Sequence, residues 1–60
     1  MIQQLPNDAM LCLSVVNTKL RDCYSSLDEL CESMVIDKDE LIRKLKDIDY
    51  EYEPSTNQFI

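Results

Sequence analysis

The groups in this chain that could do chemistry are three cysteines, three tyrosines and twelve carboxylates, with no histidine beside them. A metal centre or a nucleophilic site needs ligands or a base at set spacings. Cys12, Cys23 and Cys31 form no Cys-x-x-Cys or other close pair. Cys23 is the candidate nucleophile, and no base accompanies it in the sequence. Each cysteine falls on an apolar helical face, so all three are expected as buried, reduced thiols. Three is also an odd number, which rules out a complete intrachain disulfide framework. The carboxylates have no imidazole to exchange protons with, and the absence of glycine removes any phosphate-cradling loop. The tyrosines are expected to pack rather than to form a ligand cage. No enzyme activity, cofactor or metal is expected.

Two polar sets could instead recognise a partner. Arg43, Lys44 and Lys46 make a cationic patch, the natural contact set for nucleic acid. Asn17 and Arg21 lie one helical turn apart and could receive a carboxylate. The plainer account of the second set pairs Arg21 with Glu29 or Asp28 of a neighbouring helix, and that account is preferred. The cationic patch sits in a segment, residues 26–45, that reads as a helix-turn-helix. Ser26-Leu27-Asp28-Glu29 can cap one short helix, Met34-Val35-Ile36 can turn, and Asp37-Lys38-Asp39-Glu40 can cap the next. A DNA reader needs cations at the start of that second helix, where this chain has Asp39 and Glu40. Charge from Lys38 through Asp49 cancels, and the whole chain carries −6. Such a surface repels phosphate, so nucleic acid is an unlikely partner.

The elements that must position these residues follow from period. Sixty residues allow a single small domain, and a core of that size yields only about 3–5 kcal/mol. Residues 1–6 carry little signal and read as an extended arm. Asn7 or Asp8 can then cap a helix over 8–22, in which Ala9, Cys12, Leu13, Val16, Leu20 and Cys23 recur at intervals of three and four. Leu27, Leu30, Cys31 and Met34 give a second helix over 27–34, and Val35-Ile36 is expected to anchor the following turn in the core. Leu41, Ile42, Leu45 and Ile48 give a third helix over 38–48. Residues 50–60 then alternate, with Tyr50 and Tyr52 on one side and a Pro54-Ser55-Thr56-Asn57 turn, which predicts a β-hairpin. Without glycine, left-handed positions must fall to residues such as Asp49 and Asn57. The fold class is mainly α, three helices with a helix-turn-helix and a C-terminal hairpin. The apolar run Met10 to Val16 is too short to span a membrane, and a cytoplasmic protein is expected.

The first helix carries a second apolar face. Leu11 and Val15 lie one turn apart away from the main stripe, with Met10 nearby. The arm before Pro6, the hairpin or another chain must cover these three, and intramolecular cover is the first choice. If another chain does, the protein is a protein-interaction or self-association module, a possible homodimer, and Met10, Leu11 and Val15 are its docking face.

Leu27, Leu30, Cys31, Met34, Ile36, Leu41 and Leu45 resemble the buried positions of winged helix-turn-helix domains. That resemblance implies a small buried residue at the Cys31 position and a glycine where Val35 stands. Over nearly the whole chain, the sequence also resembles short bacterial proteins classed only as a domain of unknown function. The matching runs are Leu5-Pro6-Asn7-Asp8, Met10-Leu11, Leu13 to Asp22, Tyr24 to Leu27, Leu30-Cys31, Tyr50-Glu51-Tyr52 and Asn57-Gln58-Phe59. Relatives tend to carry glycine where Asp49 stands. This resemblance implies no activity.

Overall fold

The computed structural model describes residues 5–60. Three helices lead into a small antiparallel hairpin: α1 (Ala9–Asp22), α2 (Leu27–Met34), α3 (Lys38–Lys46), β1 (Tyr52–Glu53) and β2 (Gln58–Phe59). The expected architecture of three helices and a C-terminal hairpin is therefore present. The part of the expected arm before Leu5 lies outside the described residues.

Each helix begins where its short polar residue predicts. The Asp8 carboxylate accepts from the Met10 and Leu11 amides (2.9 and 3.3 Å) and starts α1. Ser26 Oγ accepts from the Glu29 amide at 3.1 Å, and Asp37 Oδ1 from the Glu40 amide at 3.2 Å. Only the forward half of the expected capping box forms at α2, because the Glu29 carboxylate takes the Ser25 hydroxyl at 2.9 Å.

Helix ends explain two departures from the sequence reading. Val35 adopts φ 55°, and Ile36 N–H reaches back to Cys31 O at 2.9 Å, which closes α2 in a left-handed cap. Ile36 packs on the core as expected, but Val35 is 87% exposed and anchors nothing. The third helix stops as regular α-helix at Lys46 rather than 48. Asp49 takes φ 66°, Tyr50 N–H bonds to Leu45 O (3.0 Å) and Asp49 N–H to Lys46 O (2.9 Å), so the last carbonyls are satisfied by the turn.

The hairpin pairs Tyr52 with Phe59 and Glu53 with Gln58, and Glu51 and Ile60 exchange two further backbone bonds of 2.9 Å. Pro54 to Asn57 form the loop, with Thr56 N–H on Glu53 O (3.3 Å) and Asn57 at φ 54°. The Tyr52 and Phe59 rings lie 5.5 Å apart at a tilt of 55°.

The core is Cys12, Leu13, Val16 and Leu20 from α1, Leu27, Leu30, Cys31 and Met34 from α2, Leu41 and Leu45 from α3, and Phe59 from β2. Leu5, Tyr24, Ile36, Ile42, Ile48, Tyr50 and Tyr52 close its margins. Cys23 departs from the expected buried stripe. It is the C-cap of α1, where the chain leaves the helix, and its thiol is exposed.

Candidate functional site

The outer side of α1 presents the residues with an unfilled role. Met10 is 54% exposed and Leu11 is 59% exposed, with Val15 half-buried beside them. The hairpin does not supply the expected cover, and of the expected arm before Pro6 only Leu5 lies among the described residues. The hairpin and Leu5 pack elsewhere along the core, and both side chains remain open to solvent. Successive residues turn by about 100°, so Leu11, Val15 and Thr18 share one strip while Met10 lies on the opposite shoulder, toward the hairpin. From Ala9 to Thr18 the chain carries no charge at all. Asp8 stands just before that stretch, and Lys19 and Arg21 lie in the last turn of α1.

On the Met10 shoulder, α1 and the hairpin enclose an open groove of about 670 Å³ lined by Met10, Leu13, Asn17, Arg21, Tyr50, Asn57 and Gln58, among others. Its best-placed polar groups are already engaged. Asn17 donates from Nδ2 to Phe59 O (3.1 Å) and accepts the Phe59 N–H on Oδ1 (2.8 Å), so its amide acts as one more rung on the edge of β2. Arg21 turns to its neighbour Asp22, Nε to Oδ1 at 3.0 Å and Nη2 to Oδ2 at 3.1 Å. Their mutual hydrogen bonds raise the Arg21 pKa and lower that of Asp22. The expected pairing of Arg21 with Glu29 or Asp28 does not form, because Asp28 takes Lys38 at 2.6 Å and raises that lysine's pKa through the hydrogen bond. Asn17 and Arg21 therefore line one groove without making a joint receptor.

Asn57 is the residue the sequence reading undervalued. Its Nδ2 donates to Leu20 O (3.0 Å) and Tyr24 O (3.1 Å), carbonyls at the end of α1. Its Oδ1 accepts the Tyr52 hydroxyl at 2.6 Å, and that Oη in turn accepts the Leu27 N–H at 3.3 Å. The hairpin thereby caps the end of one helix and the start of the next. The left-handed turn expected at Asn57 was the visible signal; its long-range partners had none.

The cationic set is divided. Arg43 and Lys46 are exposed, whereas Lys44 is half-buried and donates to Pro6 O at 3.0 Å. Cys12 and Cys31 lie in the core, where burial raises both thiol pKa values. Among the described residues, no group of three His, Cys, Asp or Glu side chains could hold a metal ion. No described helix is long and apolar enough to cross a membrane.

A family model described as Domain of unknown function (DUF4250) matches residues 6–59. No curated protein and no solved structure matches the chain. The likeness to winged helix-turn-helix domains therefore rests on the residues quoted for it alone.

Proposed function

The chain belongs to this family of unknown function, and from that premise we propose that it is a small, non-catalytic protein-interaction module whose docking face is the outer side of α1. One observation carries this reading. Met10 and Leu11 are adjacent, more than half exposed, and set in ten successive residues without charge, while the excess of acids lies in the other elements. Covering apolar surface contributes about 25 cal/mol per Å² before association costs, and an uncharged patch loses no ion hydration when it is covered.

The reading is tested by placing a photo-reactive residue at position 11 and, as a control, at the exposed Glu32 of α2. Irradiation in a cell extract is expected to give a discrete protein adduct from position 11 and none from position 32. Equal adduct patterns from the two positions, or none from either, would remove the docking face.

A further inference from the structure

Resting on the reading of α1 as a docking face, we infer that its occupant is a second copy of this chain, packed antiparallel across a two-fold axis level with Ser14. Along α1 the acid Asp8 stands at the start and the base Lys19 in the last turn with no charge between them, while Arg21 and Asp22 neutralise each other at its end. A strip with acid at one end and base at the other complements itself head to tail. Asp8 and Lys19 stand eleven residues apart, about 16 Å along a helix, and point to the same flank at 100° per residue. Antiparallel helices bring like flanks together. The two-fold axis thus sets Leu11 against the partner's Val15 and Asp8 against the partner's Lys19, each contact occurring twice.

A parallel pairing would oppose acid to acid and base to base between two chains that each carry −6. Asp22, which also faces this side, already holds Arg21 in a two-bond pair and brings little uncompensated charge. The acids that dominate the net charge lie outside α1, in α2, in the segments flanking α3 and in the hairpin.

Sedimentation equilibrium of the full chain tests this up to about 1 mM, the weak end of specific association. The wild type is expected to form dimers. Leu11→Asp raises the dissociation constant at least tenfold, and Lys19→Glu raises it several-fold with a reduced dependence on salt. In a Cys23→Ser background, a short thiol cross-linker joins Ser14→Cys protomers, next to the axis, and fails to join Thr18→Cys protomers, which antiparallel packing holds far apart. Circular dichroism establishes that each variant is folded, and the cross-linking pair decides the matter even if Leu11→Asp is not. A wild type that stays monomeric overturns self-pairing and leaves the docking face to the adducts from position 11. A dimer indifferent to Leu11→Asp overturns both, and a dimer bridged through Thr18→Cys but not Ser14→Cys overturns the antiparallel arrangement.

Discussion

Val35 holds φ 55° with a β-branched side chain that touches nothing in the core. A left-handed conformation costs such a residue about 1–2 kcal/mol, and glycine avoids that cost while adding some unfolded-state entropy. Val35→Gly should therefore stabilise the protein by about 1 kcal/mol, a rise in Tm of roughly 4–8 °C for a domain this small. Urea or thermal unfolding measures it, and no gain would mean that Val35 makes a favourable contact elsewhere. The cysteines separate in the opposite direction. Cys23 is expected to react with a thiol reagent in the folded protein, while Cys12 and Cys31 react only on unfolding. Burial raises the pKa of both buried thiols above their ordinary value near 9.0. Their contribution to stability is thus complete below that value and lost as pH climbs toward the folded-state values. Unfolding free energy should fall as pH rises past the ordinary thiol value of 9.0, and a level profile there would contradict the assignment.

The junction between helices and hairpin belongs to the element scale. Tyr52 Oη links the first amide of α2 to Asn57, whose amide holds two carbonyls at the end of α1. Tyr52→Phe keeps the ring against Phe59 and leaves the Leu27 N–H and Asn57 Oδ1 without their partner. The expected loss is about 1–3 kcal/mol by chemical denaturation, and an unchanged midpoint would show that water replaces the hydroxyl at no cost. Most of the elements were readable from the chain because they depend on local signals. Asp8, Ser26 and Asp37 announce helix starts, the apolar periods announce the buried stripes, and Asp49 and Asn57 mark left-handed positions. The clamp was not readable, since Asn17 meets Phe59 across 42 positions and Asn57 meets Leu20 across 37. Nothing in local spacing signals an amide aimed at distant backbone. The second apolar face of α1 was readable from its spacing, but the exposure of Met10 and Leu11 depended on where the hairpin settled.

At the scale of the whole molecule, Phe59 is the largest of the fully buried side chains and the hairpin's sole member of the buried core. Truncating a buried phenylalanine costs about 3–5 kcal/mol, as much as a domain of this size has to lose. Phe59→Ala is expected to abolish the cooperative unfolding transition altogether; a retained transition would mean that the three helices stand without their hairpin. The bonds that join Asn17 and Leu20 to residues 57–59 also set an order of events during synthesis. While the ribosome still shields those residues, α1 has no rung for its asparagine and no cover for its phenylalanine-facing side. The contacts of α1 with the hairpin therefore cannot form until Phe59 has cleared the exit tunnel.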